Sequence, residues 1–211
     1  GPKYLNTPET PLYKKSQVLY GIDLAKRTIA KERQLVLVEG YTDVMAAHLA
    51  GVGTAVATCG TAFGADHIKV ARRLISDDGT GGEVIFTFDG DAAGRRAATR
   101  AMESVLPRMR DGRQAFFLFL PDGEDPDTIV RSEGAAGFEA RLAAATPLST
   151  FFFDTLGEGI TLSTLDGKAR LAERAKPMLA QIPDGAFADL MRPLGLSDLA
   201  RTGIAALSRG A

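Results

Sequence analysis

Apolar and polar positions alternate along the first part of the chain in a way that predicts strands and helices in turn. Short apolar runs are followed by stretches in which apolar residues recur every three or four positions. Predicted strands cover residues 35–39, 54–58, 84–88 and 114–120, and predicted helices cover residues 16–31, 42–50, 65–75 and 92–106. This alternation with short connections favours βαβ units and a parallel sheet.

The pattern changes after Pro126. Residues 128–211 contain no convincing period-2 run, and glycines and prolines divide an alanine-rich stretch into several helices. We therefore predict an α/β fold with a mostly parallel sheet flanked by helices, followed by an all-α helical subdomain. The predicted division is a basic lead-in segment and helix at residues 1–33, an α/β domain at 34–127 and the helical subdomain at 128–211.

Three of the predicted strands end in acidic residues. The acidic stretches are residues 39–43 (Glu-Gly-Tyr-Thr-Asp), 89–91 (Asp-Gly-Asp) and 122–127 (Asp-Gly-Glu-Asp-Pro-Asp). Open α/β sheets bind ligands at the carboxyl ends of their strands. Several carboxylates in one crevice repel one another unless a cation neutralises them. The pattern therefore predicts a site for a hard divalent cation and, with it, chemistry on phosphates.

Two aspartate pairs with the same spacing are candidate metal ligands. The pairs are Asp89 with Asp91, and Asp125 with Asp127. Residues two apart on an extended chain point the same way, and Mg²⁺ is commonly held by one or two carboxylates together with substrate phosphates. Either pair alone is more typical of an ordinary turn. Their shared position at strand ends is what favours a metal site.

Two further carboxylates lie at or just before the start of the helix predicted over residues 42–50. Glu39 is the last residue of its predicted strand, so its longer side chain is a candidate metal ligand or general acid/base. Burial would raise its pKa and favour the proton-transfer role. Asp43 is a candidate ligand and, alternatively, a simple helix cap.

Composition and charge narrow the class of protein. The chain has 211 residues, 45% of them hydrophobic and 24% charged, which is ordinary for a globular protein. No apolar stretch approaches the roughly 20 residues of a membrane span. Cys59 is the sole cysteine, which excludes an internal disulfide and a cysteine-based zinc site. The net charge is −1, yet residues 1–33 hold seven basic and three acidic residues, a basic segment suited to a phosphate-chain substrate.

The stretch 60–64 (Gly-Thr-Ala-Phe-Gly) precedes a predicted helix. Such a loop could bring backbone N–H groups to a phosphate, and a plain strand-to-helix turn explains it equally well. His67 lies early in the same helix, where a capping or packing role is favoured over catalysis.

The acidic stretches resemble a known signature. Residues 39–43 followed by residues 89–94 (Asp-Gly-Asp-Ala-Ala-Gly) resemble the toprim signature, a glutamate after one strand and Asp-x-Asp after a later one. Further stretches narrow the resemblance to the bacterial DnaG-type primases: residues 3–10, 19–21, 60–62, 66–67 and 120–127. The resemblance covers almost the whole chain and weakens after about residue 160.

The resemblance implies a set of roles for individual residues. Glu39 corresponds to the catalytic glutamate of the family. The acidic residues that support binding of Mg²⁺ or Mn²⁺ correspond to Asp43, Asp89, Asp91, Asp125 and Asp127. Lys3 and Lys15 match basic positions implicated in nucleotide or template handling.

The resemblance also implies an activity. It is DNA-templated synthesis of short RNA primers for replication by metal-dependent nucleotidyl transfer, with single-stranded DNA as template and ribonucleoside triphosphates as substrates. We expect a monomer in the cytoplasm at the replication fork. The alternatives are a toprim nuclease or topoisomerase fragment, and a non-catalytic toprim DNA-binding module.

The family's other modules set further expectations. The chain has no Cys/His cluster, so we expect zinc only in the missing N-terminal module. We likewise expect contacts with the replicative helicase to lie in regions absent here. The chain is expected to be a fragment of the polymerase domain, and the sequence leaves open whether it is active alone.

Overall fold

The computed structural model describes residues 8–11, 14–75 and 81–194. The strands are β1 (Leu19–Tyr20), β2 (Gln34–Val38), β3 (Ala55–Thr58), β4 (Gly82–Phe88), β5 (Arg113–Phe119) and β6 (Thr146–Pro147). The α-helices are α1 (Ile22–Glu32), α2 (Tyr41–Leu49), α3 (Ala65–Ile75), α4 (Ala92–Val105), α5 (Pro126–Ala143), α6 (Leu148–Gly157), α7 (Leu165–Leu179) and α8 (Ala186–Leu194). Short 3-10 helices cover Lys15–Gln17 and Leu106–Arg108.

The strands form one sheet in the order β1-β3-β2-β4-β5-β6. The four central strands are parallel. The two edge strands are antiparallel to their neighbours. The predicted α/β fold with a mostly parallel sheet is therefore confirmed. Because the central strands run the same way, their carboxyl ends meet at one edge, and that edge is where the acidic stretches lie.

Helices cover both faces of the sheet. Side chains alternate along each strand, so Phe86 of β4 faces one core and Ile85 faces the other. The Phe86 face packs against α1, α3, α4, α6, α7 and α8, and the Ile85 face packs against α2 and α5. The helices after residue 126 thus share both cores with the sheet. The proposed domain boundaries at residues 33 and 127 stay predictions.

The helix predicted over residues 16–31 is wrong in its first third. Leu19 and Tyr20 pair antiparallel with Thr58 and Ala57, so this segment is an edge strand. Gly21 follows with φ of +82°, and α1 begins only at Ile22. The helical spacing of apolar residues was outweighed by backbone pairing with a strand more than 30 positions away.

The other predicted elements lie within about two residues of the observed ones. The helical region begins at Pro126, two residues earlier than predicted, and α5 is interrupted at Gly134, where φ is +74°. The two-residue strand β6 is a small exception to the prediction of an all-α region. Within the described ranges, no helix combines the length and the apolar character needed to cross a membrane.

Candidate functional site

The first two acidic stretches meet because their strands are neighbours. β2 and β4 are adjacent and parallel, with Leu37 opposite Phe86. Glu39 follows β2 by one residue, and Asp89 follows β4 by one residue. The backbone N–H of Asp89 donates to Oε1 of Glu39 at 3.4 Å, although the two residues are 50 positions apart. Sheet register therefore creates the core of the site.

Glu39 lies in a field of like charges. Its side chain is exposed at the edge of the sheet, but the surrounding protein removes part of the hydration of its carboxyl group. This desolvation raises the pKa of Glu39, and the negative charges of Asp89, Asp43 and Asp91 raise it further, against the opposing hydrogen bond from the Asp89 N–H. A raised pKa makes a carboxylate a better proton acceptor, which suits a general acid/base role.

Asp43 is buried and fixes the turn between β2 and α2. Its side chain is 4% exposed, and Oδ2 accepts a hydrogen bond from the backbone N–H of Gly40 at 2.8 Å. The carboxylate thus secures the residue next to Glu39. Both the structural role and the charge that acts on Glu39 are compatible with the ligand role predicted for Asp43, which stays a prediction.

The Asp-Gly-Asp stretch is held by two close backbone approaches. Oδ1 of Asp91 accepts from the N–H of Gly94 at 2.7 Å and so caps α4. A Cβ atom on Gly94 would lie 2.1 Å from the carbonyl oxygen of Asp89, and one on Gly90 would lie 2.3 Å from that of Leu120. Both glycines are therefore required by proximity. They clamp the loop that carries Asp89 and Asp91 against its neighbours.

The second aspartate pair is engaged in starting α5. Asp125 accepts from the N–H of Thr128 at 2.9 Å, while the Thr128 hydroxyl accepts from the N–H of Asp125 at 2.9 Å, which forms a capping box. Asp127 forms an ion pair with Arg131 at 2.9 Å. Neither carboxylate is among the groups that shift the pKa of Glu39. The metal-ligand role of this pair stays a prediction.

The structure describes one of the two lysines that were predicted to bind nucleotide or template. Lys3 lies outside the described residues. The backbone of Lys15 is held on both sides, because its N–H donates to Oε1 of Glu9 at 2.8 Å and its carbonyl oxygen contacts Nε2 of His67 at 3.0 Å. Nδ1 of the buried His67 accepts from the N–H of Gly64 at 3.2 Å. This pair of contacts requires a neutral imidazole protonated on Nε2, so His67 ties the Lys15 segment to the start of α3.

A cavity of about 400 Å³ lies at the acidic edge. One wall is formed by Thr58 and residues 60–63, and the other by α4, which contributes Arg100. Sequence reasoning missed Arg100 and left the role of the 60–63 loop open. The signal for Arg100 was its helical spacing: it lies seven residues after Ala93, on the face of α4 that lines the cavity.

The donor set fits an open magnesium site. Carboxylate oxygens are the ligands that Mg²⁺ prefers, and the ion usually keeps waters and binds substrate phosphates. Among the residues that the structure describes, no group of three or more His, Cys, Asp or Glu side chains is arranged to enclose a metal ion. Desolvation and the negative charges of neighbouring aspartates raise the pKa of Glu39, and a cation bound at this edge would offset both effects. The residues therefore fit an ion that completes its coordination with water and phosphate.

Three family models match the chain. The Toprim domain model matches residues 33–113, which contain the acidic edge. The model of the DNA primase catalytic core, N-terminal domain, matches residues 1–26. The model of the DnaB-helicase binding domain of primase matches residues 149–192. This last match lies inside the chain, whereas helicase contacts were expected only in absent regions.

Individual relatives agree with these models. The DNA primase of Escherichia coli strain K12 is 50% identical over 182 residues, which cover 86% of this chain and 30% of that protein. The chain thus spans less than a third of that relative's length. A solved structure of the DnaG catalytic core matches with a TM-score of 0.83 and 47% identity over 92% of this chain and 61% of that one.

A third comparison includes nucleic acid. A DnaG primase catalytic domain solved bound to single-stranded DNA matches with a TM-score of 0.82 and 47% identity, over 92% of this chain and 61% of that one. Sequence and fold agree over nearly the whole chain in these comparisons. The chain therefore belongs to the bacterial DnaG-type DNA primase family and corresponds to part of its catalytic core.

Proposed function

We propose that the chain carries the catalytic centre of an enzyme that synthesises short RNA primers on a DNA template. The convergence of Glu39 with Asp43, Asp89 and Asp91 at one edge of the sheet carries this proposal. The match to a primase domain bound to single-stranded DNA supports a single-stranded template. Ribonucleoside triphosphates are the substrates that the proposed reaction requires.

In the proposed reaction, the 3′-hydroxyl of one ribonucleotide attacks the α-phosphate of the next, and pyrophosphate leaves. A bound Mg²⁺ would neutralise charge that develops on the phosphate oxygens. Asp89 and Asp91 would hold the ion, because the two close glycine contacts fix their loop. Glu39 would accept the proton of the attacking hydroxyl or position the neighbouring ligands.

Positively charged residues would bind the triphosphate and the template. Arg100 lines the cavity from α4, opposite the 60–63 loop. Lys15 is held next to that loop through His67 and Gly64. A guanidinium group binds phosphate through paired N–H donors. Lys15 would contact the template backbone, and this contact should weaken as salt concentration rises.

The topoisomerase alternative needs a nucleophilic tyrosine. Tyr20 and Tyr41 pack against each other with ring centroids 4.5 Å apart, an arrangement typical of a structural pair. Tyr4 and Tyr13 lie outside the described residues. The nuclease alternative is tested by the same assay as primer synthesis, through degradation of the labelled template.

The decisive experiment replaces Glu39 in the intact primase. We expect Glu39→Gln to lower primer synthesis on single-stranded DNA by roughly 100-fold or more, because a positioned acid/base group contributes at least that factor. Glu103→Gln is the matched control, since Glu103 is an exposed glutamate on α4. Equal loss in both variants, or no loss in Glu39→Gln, would remove Glu39 from the mechanism.

Metal binding can be measured on this chain without an activity assay. Free Mn²⁺ followed by electron paramagnetic resonance should decrease when the chain is added. The double substitution Asp89→Asn and Asp91→Asn should weaken that binding about tenfold or more, and asparagine at position 91 preserves the cap of α4. Asp166→Asn, at an exposed position in the first turn of α7, is the control. Identical Mn²⁺ affinity in all three proteins would contradict the metal site.

We also place a contact with the replicative helicase on α6–α8, because the helicase-binding model covers these helices. Leu165 and Leu190 are large apolar side chains on these helices that are 83% and 72% exposed, and they are the side chains that we expect to contact the helicase. Aspartate at both positions should reduce helicase affinity in a sedimentation assay with the intact primase. Leu49→Asp, on the exposed face of α2, is the control, and unchanged affinity in the double variant would contradict this placement.

A further inference from the structure

A second cavity opens at the end of the sheet where β4 and β5 begin, and it extends to Phe63, which also lines the cavity at the acidic edge. It has a volume of about 180 Å³ and lies where β4 and β5 begin, between the last turn of α3 and the end of α4. Its interior is apolar and includes Phe63, Ile68, Phe86 and Met109. No role in the proposed reaction has been assigned to this cavity.

Three arginines from three separate elements line this cavity. Arg72 comes from α3, Arg108 from the 3-10 helix after α4, and Arg113 from the first position of β5. Nη1 of Arg108 donates to the carbonyl oxygen of Ser104 at 2.8 Å, and Nη1 of Arg113 donates to that of Arg108 at 2.7 Å. These contacts hold two guanidinium groups in place and use one of the five N–H donors of each.

The positive charge of this cluster is not balanced by a described carboxylate. Within residues 8–11, 14–75 and 81–194, the ion pairs involve other basic residues. Desolvation lowers the pKa of Arg113, and the like charges of Arg72 and Arg110 lower it further. Arg108 and Arg113 are half-buried, and like charges gathered around a partly desolvated guanidinium group are unfavourable. A bound anion would reduce that repulsion.

We propose that this cavity binds a small amphipathic anion, namely a single aromatic ring or branched aliphatic group that carries one phosphate or carboxylate. The apolar floor excludes a bare ion as the best occupant, because it would leave the half-buried side chains of Phe63 and Val84 uncovered. The arginine rim requires a negative group with several acceptor oxygens. The volume is below the range typical of drug-sized ligands, about 300–1,000 Å³, so one ring with one charged group fits and a nucleoside triphosphate does not.

Binding can be tested on the whole chain with four probes. Phenyl phosphate and benzoate carry both features, inorganic phosphate carries only the charge, and benzyl alcohol carries only the ring. Calorimetry should show measurable binding of phenyl phosphate or benzoate, and at least tenfold weaker binding of the two single-feature probes. The ratio between phenyl phosphate and benzoate distinguishes a phosphorylated ligand from a carboxylate ligand.

Neighbouring arginines on α3 provide a matched pair of variants. Arg72 lines the cavity, whereas the adjacent Arg73, which is also exposed, does not. Arg72→Gln should weaken binding of the better probe about tenfold, which corresponds to one charge-assisted hydrogen bond. Arg73→Gln should leave binding unchanged. Both variants replace an exposed residue, so the fold should be retained and can be checked by circular dichroism.

Three outcomes would overturn the proposal. Inorganic phosphate that binds as tightly as phenyl phosphate would indicate general anion attraction. Equal weakening by Arg72→Gln and Arg73→Gln would place the probe elsewhere. Absence of measurable binding of both phenyl phosphate and benzoate would show that the cavity does not hold an anion of this kind.

Discussion

The two ends of the central sheet carry charged groups of opposite sign. At the carboxyl ends of β2 and β4, desolvation and neighbouring aspartates raise the pKa of Glu39. At the amino ends of β4 and β5, desolvation and neighbouring arginines lower the pKa of Arg113. In each case the charged form is disfavoured. Each end therefore favours a ligand of opposite charge, a cation at one and an anion at the other.

The two ends differ in how the chain assembles them. The acidic residues follow their strands directly, so each acidic stretch is visible as a short continuous pattern. The arginines of the basic cavity come from positions 72, 108 and 113, on three unrelated elements. A charged site built from strand ends can thus be found in a sequence, while one assembled from a helix end, a turn and a strand start requires the tertiary structure.

The largest loss of stability is expected from Gly94→Ala, which displaces the loop at the acidic end of the sheet. A Cβ atom on Gly94 would lie 2.1 Å from the carbonyl oxygen of Asp89, so Gly94→Ala must displace the loop that carries the aspartates. We expect the free energy of unfolding in urea to fall by about 2–3 kcal/mol. Gly64→Ala is the control, because its Cβ would have its nearest neighbour at 4.0 Å. A fully stable Gly94→Ala variant would mean that the loop moves freely.

A smaller effect is expected at His67, on the helix that reaches both ends. Its ring holds Gly64 and Lys15 near the acidic edge, while Arg72 of the same helix lines the basic cavity. His67→Asn should lower the free energy of unfolding at pH 7.5 by about 1–3 kcal/mol, because buried backbone groups lose a partner. His48→Asn replaces the only other histidine and serves as the comparison; its half-buried ring contacts the carbonyl oxygen of Ala55 at 2.9 Å, so we expect a smaller loss there.

The contribution of His67 to the stability of the fold should decrease as the pH falls. Burial lowers the pKa of His67 below its usual 6.5. Its contribution to stability is complete above about pH 6.5 and decreases as the pH falls from there, because the unfolded chain takes up the proton first. The parent should show this decrease in urea unfolding between pH 7.5 and 5.5, and His67→Asn should lack that part of it. An unchanged profile would contradict the neutral imidazole.

The smallest change in stability is expected from removing the charge of Glu39 at the acidic end. This change is a gain in stability, whereas the two preceding substitutions cause a loss. Because the pKa of Glu39 is raised from 4.5, its ionised form destabilises the fold, and stability is greatest below pH 4.5 and lost as the pH rises through the raised pKa. Glu39→Gln should therefore slightly raise the free energy of unfolding at pH 7.5. That gain should disappear as the pH falls through the raised pKa, and Glu103→Gln should show no gain. A gain that is independent of pH would point to packing as its cause.

Two aspartate pairs with identical spacing show where sequence reasoning reaches its limit. Asp89 and Asp91 lie in the field that acts on Glu39. Asp125 instead caps α5, and Asp127 instead forms an ion pair with Arg131. The spacing is the same, but the neighbours differ. Which pair lies beside Glu39 depends on the order of strands in the sheet, and local spacing contains no information about that order.

The sequence by itself determined the alternation of strands and helices, the α/β class and the acidic strand ends, because each is a pattern within a short continuous segment. The tertiary structure decided the rest. It turned residues 19–20 into an edge strand by pairing them with β3, brought Glu39 and Asp89 into contact across 50 positions, and gathered three arginines around one cavity. These features depend on contacts between distant residues, which form only when the sheet sets its strand order and register.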